Sequence, residues 1–201
     1  MEEAPISLVQ RMARGLLALF GWRVEIRWPP GPKAVIAVYP HTSNWDFIVG
    51  ILARSAAALP LSFIAKDTLF RWPFGALLRR LGGIPVNRRE HTGMVAQLQA
   101  EFARRPTLWL AIAPEGTRAH TDSLRSGFYH LALAAGVPLG LGYLDYGQRV
   151  VGIADWIALS GDAEQDLARL RAFYAGKKAL RPAQAGEIRF RADHRTGGGP
   201  A

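Results

Sequence analysis

Four short segments of this sequence concentrate the side chains that could do chemistry. Residues 41–46, HTSNWD, place an imidazole five positions ahead of a carboxylate. Inside one continuous helix, five steps of about 100° would turn His41 and Asp46 away from each other. With His41 on a loop and Asp46 in the first turn of the following helix, the two can meet. Asp46 would then fix the tautomer and orientation of a histidine acting as general base. The same residues also spell S-x-x-D, with Ser43 as N-cap and Asp46 three residues on, a helix-capping pattern without catalytic content. The residues alone leave both readings open.

The second segment, Gly82-Gly-Ile-Pro-Val-Asn-Arg88, has glycines ahead of a short strand and an arginine at its far end. Arg88 there either binds a phosphate bidentately or simply closes a strand at the surface. The third, Pro114-Glu-Gly-Thr-Arg118, follows the apolar run TLWLAIA. Glu115, Thr117 and Arg118 around Gly116 would make a cradle for a phosphate or polar headgroup, with Glu115 holding an arginine in place, or else only a turn. The fourth, Gly136-Val-Pro-Leu-Gly-Leu-Gly-Tyr143, lacks the G-x-G-x-x-G spacing and reads as a core strand. No G-x-S-x-G, phosphate-loop or zinc-spaced histidine set is present. His91, His120, His130 and His194 are scattered, so no metal site is expected.

Elements must hold these segments in place, and the pattern supplies them. WRVEIRW (22–28) alternates like a half-exposed strand, and KAVIAVY (33–39) is a continuous apolar run typical of a strand covered on both faces. A helix is predicted from within 42–44 to about Leu59, then a strand at LSFIA. A helical stretch follows through TLFRWPFGALLRRLG, broken near Pro73. IPV reads as a short strand, 91–104 as a helix, 107–113 as a buried strand, and SGFYHLALAAG as a helix stopped by Gly136. VPLGLGYL and QRVVGIADW read as strands, 162–175 as a helix, EIRFRA (187–192) as a weak strand, and 193–201 as a loose tail. Strands alternating with helices predict one α/β domain over 1–201, with a mostly parallel or mixed sheet flanked by helices. Residues 5–20 form an N-terminal amphipathic helix with a wide apolar face and a stripe of Ser7, Arg11, Arg14 and Ala18. It suits either docking on the domain or lying in a membrane interface.

Composition narrows the partners. A formal net charge of +9, carried mostly by arginine, expects an anionic partner: nucleic acid, anionic lipid or a phosphorylated substrate. With no cysteine, disulfides, zinc–thiolate sites and a cysteine nucleophile are excluded. The acidic start MEEAPIS is unlike a signal peptide, and Phe47 to Ala65, the longest apolar candidate for a span, is interrupted by Arg54 and Pro60. No transmembrane helix is therefore expected. A nucleic-acid-binding module is disfavoured, because no helix-turn-helix, aromatic RNA-binding motif or zinc finger is visible.

Taken in order, HTSNWD, GGIPVNR, PEGTR and GVPLGLGY resemble the glycerolipid acyltransferase family typified by bacterial 1-acylglycerol-3-phosphate acyltransferases. That family carries H-x4-D, a strand ending in arginine, E-G-T-R, and a V-P-containing strand. The resemblance covers about residues 33–145. It implies that His41 deprotonates an acceptor hydroxyl that attacks an acyl thioester directly, with Asp46 orienting the imidazole. Arg88, Gly116, Thr117 and Arg118 would bind the acceptor phosphate, with Glu115 in the same substrate-binding segment. The helix start after His41 would help hold charge on the thioester oxygen. It further implies a lysophospholipid acceptor, 1-acylglycerol-3-phosphate foremost and phosphatidic acid as its product, and acyl-coenzyme A or acyl carrier protein as donor. No cofactor is implied. The implied location is peripheral or monotopic on the cytoplasmic side of an anionic membrane. Arg71, Arg79, Arg80, Arg89, Arg104 and Arg105 would meet headgroups, coenzyme A phosphates or carrier protein. Pro40, Asn87 and Ala113 depart from the family pattern, which leaves another lysolipid or an amino-acid-containing lipid as an alternative acceptor. A catalytically dead membrane-binding protein is disfavoured, because His41, Asp46 and E-G-T-R are intact.

Overall fold

The computed structural model describes residues 6–86 and 91–191. Among these, seven strands form one sheet: β1 (Arg23–Ile26), β2 (Lys33–Val38), β3 (Leu61–Lys66), β4 (Gly83–Val86), β5 (Leu108–Ile112), β6 (Leu139–Asp145) and β7 (Val150–Ile157). The helices are α1 (Leu8–Leu19), α2 (Asn44–Ala56), α3 (Gly75–Arg80), α4 (His91–Arg104), α5 (Gly127–Ala135) and α6 (Ala163–Tyr174). The strand order is β1-β7-β6-β2-β5-β3-β4. Every pairing is parallel except β6 with β7, so the sheet is mixed. The five strands from β6 to β4 run one way, and their carboxyl ends line one edge.

Burial explains the apolar runs. In β2, Val35 and Ala37 face one core with Leu110, Leu131, Leu167 and Leu170, whereas Ala34 and Ile36 face the other side with Trp109 and Ile153. Alternate side chains thus enter two cores, which is why KAVIAV shows no polar alternation. Truncating a fully buried leucine such as Leu110 would cost about 2–5 kcal/mol. The glycines of the fourth segment serve packing. A Cβ on Gly140 would lie 2.6 Å from the Trp156 ring and one on Gly142 2.7 Å from Ile36.

Two expectations are refined by the packing. The N-terminal helix does dock: Ala13 and Leu17 are buried, and Arg14 Nε donates to the Ala56 carbonyl at the end of α2 (3.0 Å). Its wider apolar face, with Leu8, Val9, Met12, Leu16, Leu19 and Phe20, remains exposed. Among the described residues, no helix is long and apolar enough to cross a membrane. The stretch predicted as helical around Pro73 is a short 3-10 turn, Asp67–Phe70, followed by α3.

One expectation fails. Residues 187–191 of EIRFRA do not form a strand; Phe190 makes a single bridge with Leu124, and the chain from 175 to 191 runs as a strap with one 3-10 turn, Pro182–Gln184. Its alternation reflects partial contact with the domain rather than membership of the sheet. The predicted tail 193–201 and Arg89 lie outside the described residues.

Candidate active site

His41 is the third residue after β2, and α2 begins at Asn44 with Ser43 as an extended N-cap. Asp46, in the first turn, is buried to 2% exposure. Its Oδ2 accepts the backbone N–H groups of Thr42 (2.7 Å) and Ser43 (2.8 Å) and lies 3.4 Å from His41 Nδ1. Its Oδ1 accepts the Tyr146 hydroxyl at 2.6 Å. The two readings of HTSNWD therefore coincide: one carboxylate completes the helix cap and faces the imidazole. The cap fixes Asp46, and Asp46 fixes where His41 points.

The electrostatics favour a neutral imidazole. Burial pushes the His41 pKa below its ordinary value; Asp46 opposes the fall and the Arg118 charge adds to it. With Nδ1 turned toward Asp46, the proton is assigned to that nitrogen and Nε2 is left to accept another. The amides expected to hold developing charge are mostly committed. Thr42 and Ser43 serve Asp46, and the Trp45 N–H donates to Ser43 Oγ (3.2 Å). At this helix start the Asn44 N–H has no partner among the described residues.

The neighbouring strand brings the third segment alongside. β5 pairs with β2 in register Ala37↔Ile112, so the loop after β5 emerges beside Pro40 and His41. Glu115, 1% exposed, accepts the His41 backbone N–H on Oε1 at 2.7 Å. Its Oε2 is buried without a partner among the described residues. Burial, more than any other cause, lifts its pKa to about 7; the His41 and Glu115 N–H groups offset part of the rise and Asp46 adds to it. The sequence expectation gave Glu115 an arginine to hold; among the described residues its carboxylate takes the backbone N–H of the general-base candidate, and Arg88 and Arg89 lie outside them. Gly116 sits at φ +66°, and a Cβ there would meet Arg125 Nε at 2.6 Å. Thr117 Oγ1 accepts the Ala119 N–H at 3.1 Å, while Arg118 is exposed with its charge felt at His41.

His41, Asp46, Glu115 and Arg118 therefore converge, with Gly116 and Thr117 in the same loop. Arg88 lies outside the described residues; Val86, where β4 stops, ends on the same edge of the sheet. Of the other arginines named from the sequence, Arg104 and Arg105 are paired with Glu101, at 2.8 and 2.7 Å, and Arg79 lies over the Phe70 ring.

Two contributors carry no motif. Tyr146, directly after β6, holds Asp46 from the far side. The strap binds the loops of all three central strands. Lys178 O accepts the Tyr146 N–H (2.9 Å), Arg181 N–H donates to Thr42 Oγ1 (3.2 Å), and Gly186 O accepts the Tyr39 hydroxyl (2.7 Å). With its amide nitrogen turned inward, Gln184 donates to the carbonyls of Thr42 (2.9 Å) and Arg118 (2.8 Å). The only sequence signal for Tyr146 was its position at a strand's carboxyl end, where such sheets place functional groups.

A buried imidazole–carboxylate pair with one ring nitrogen left to take a proton, beside an exposed guanidinium, fits an enzyme that deprotonates a nucleophile near an anionic group. Comparison with known proteins assigns the class: the chain belongs to the acyltransferase family, whose model, described as Acyltransferase, matches residues 27–140. The 1-acyl-sn-glycerol-3-phosphate acyltransferase of Escherichia coli K12 is 32% identical over 135 residues, which are 62% of this chain and 53% of that protein. The enzyme of the same name from Salmonella typhimurium is 30% identical over the same length and shares. The chain thus spans about half the length of these relatives. The fold is similar to the crystal structure of the 1-acyl-sn-glycerophosphate (LPA) acyltransferase of Thermotoga maritima. There the TM-score is 0.50 at 17% identity, over 85% of this chain and 80% of that one.

Proposed function

We propose that this protein transfers a fatty acyl group from a thioester donor to the hydroxyl of a lysophospholipid, with 1-acylglycerol-3-phosphate as the first acceptor to consider. The observation that carries the reading is the His41–Asp46 pair, buried, oriented and electrostatically tuned toward the neutral base. Relatives 30–32% identical over an aligned 62% of this chain bear the name of that reaction. In the reaction, His41 Nε2 takes the acceptor hydroxyl proton as its oxygen attacks the thioester carbonyl carbon. The tetrahedral intermediate collapses, the C–S bond breaks, and the proton passes from the imidazolium to the thiolate. Asp46 stabilises the transient imidazolium. Arg118, with Arg88, Gly116 and Thr117, holds the acceptor phosphate. Acyl-coenzyme A or acyl carrier protein supplies the thioester.

The setting in this reading is the cytoplasmic face of an anionic membrane. The exposed face of α1 supplies an apolar surface, and Trp72 at 94% exposure, with Phe74 and Leu77, supplies a second. The net charge of +9 would draw the protein to anionic headgroups.

The test is thiol release from palmitoyl-coenzyme A by purified protein in lipid micelles, with and without 1-acylglycerol-3-phosphate. The cysteine-free chain gives no thiol background. Acceptor-dependent release that falls by about 10²–10⁴ in folded His41→Ala supports the reading. Full activity in that variant, or no release with any lysolipid and either donor, refutes it.

A further inference from the structure

Both substrates of such a reaction carry phosphate, and a second cationic site would keep them apart. A second basic site is lined by the chain just before His41. A cleft of about 700 Å³ lies between α6 and the strap, within the usual size of cofactor sites. Tyr39 and Pro40, the two residues before His41, line it, together with Arg171, Lys177, Lys178 and Arg189. Against these four cations stands Glu187.

The cations are not equivalent. Arg171 bonds the Ile188 carbonyl (2.9 Å) and Glu164 (3.3 Å), and Arg189 pairs with Glu187 at 2.8 Å. Lys177 and Lys178 have no carboxylate partner among the described residues. The Lys177 ammonium rests over the Tyr143 ring, 4.3 Å from its centroid, and 5.4 Å from that of Phe173. Aromatic faces position it without neutralising it, which leaves its charge for a ligand. The Lys178 backbone is pinned at the end of β6, its N–H reaching Asp145 Oδ1 (3.4 Å) and its carbonyl taking the Tyr146 N–H (2.9 Å). Its side-chain stem passes over Gly147, where an added Cβ would lie 2.8 Å from Lys178 Cδ.

We propose that this cleft binds the phosphorylated nucleotide end of an acyl-coenzyme A donor, with Lys177 and Lys178 as its principal cationic contacts. The proposal rests on the acyltransferase reading above. Coenzyme A bears its phosphates at the end remote from the thioester. With the phosphates in the cleft, the pantetheine arm runs past Pro40 and presents the thioester to His41. The acceptor phosphate then approaches from the Arg118 side, so the two anionic substrates do not compete for one site.

Two measurements on the full chain test this. Coenzyme A itself is titrated calorimetrically at low salt into wild type and folded Lys177→Glu/Lys178→Glu. Binding weakened at least tenfold in the variant is expected. No binding to wild type, or equal binding to both, overturns the proposal. In transfer assays, the preference for palmitoyl-coenzyme A over palmitoyl-pantetheine, as a ratio of kcat/KM, should fall at least tenfold in the variant. An unchanged ratio overturns the proposal, as does a loss confined to acyl carrier protein, which would make the cleft a protein-docking surface. If His41→Ala abolishes transfer while the lysine variant matches wild type, the cleft assignment fails and the acyltransferase reading stands. If coenzyme A binds in a lysine-dependent way yet no donor is turned over, the site stands and the catalytic reading fails.

Discussion

Replacing Glu115 by glutamine should change how stability depends on pH. The glutamine can still accept the His41 N–H through its oxygen, but it cannot ionise. In wild type, burial raises the Glu115 pKa from 4.5 to about 7. Between those values the folded chain keeps a proton on Glu115 that the unfolded chain has released, so stability falls as pH rises. The contribution is intact below pH 4.5 and lost once pH passes about 7. One proton over that window, at about 1.4 kcal/mol per pH unit, gives about 3 kcal/mol. The assay is urea unfolding of both proteins from pH 4 to pH 8.5. With m near about 2 kcal/mol/M, the difference in midpoint between the two should shift by about 1.5 M urea across the series. Any constant cost of the new amide beside Oε2 moves every point equally and cancels from the slope. His41, whose lowered pKa acts in the opposite sense, is present in both proteins and cancels too. Parallel curves from pH 4.5 to 7 would refute the argument that a desolvated carboxylate sits under the His41 backbone.

Other consequences follow from single contacts. Tyr146→Phe removes the 2.6 Å hydrogen bond to Asp46 and should cost about 1.5–3 kcal/mol in urea unfolding, with a lower kcat; unchanged stability and rate would show that Tyr146 does not hold the dyad. Gly152→Ala would drive a Cβ into the Glu25 carbonyl oxygen, forcing β1 off β7, and should destabilise by about 3 kcal/mol or more; a wild-type melting curve would contradict that close approach. Leu16→Ser/Leu19→Ser/Phe20→Ser alters only side chains that are already exposed, so the melting temperature should hold. Sedimentation with vesicles containing anionic lipid should drop by about 10² or more, from a loss of about 1–2 kcal/mol per side chain. Undiminished sedimentation would remove α1 from the membrane contact.

Much of this fold could be read from periodicity, because its central strands are covered on both faces and its helices carry ordinary start and stop signals. The limits of β2, β5, α5 and α6 fall within a residue or two of expectation. The direction of β7 was not legible, since no local pattern distinguishes a parallel from an antiparallel neighbour. The exposed side of α1 was also hidden: a small docking face of Ala13 and Leu17 looks, in sequence, no different from the larger face around it. At the site, residue type and spacing pointed to His41, Asp46 and 115–118, but chemistry alone did not reveal the backbone partner of Glu115. A carboxylate three residues from an arginine invites an ion pair, yet the register of β5 against β2 also brings it to a backbone amide. Tyr146 and the strap act through contacts spanning about 100 residues or more, which no short motif records.

The pairing of the first strand with the seventh sets an order of events during synthesis. Arg23–Ile26 finds its partner only when Val150–Ile157 has been made, about 125 residues later. At about 5–20 residues per second, that interval is roughly 6 to 25 s. Through it the nascent chain carries α1 with its outward apolar face complete, while the strand next to it waits for the sheet to close. If α1 meets lipid as proposed, it can do so before the sheet that β1 joins is complete, and lipid contact and folding would then run as competing clocks rather than successive steps.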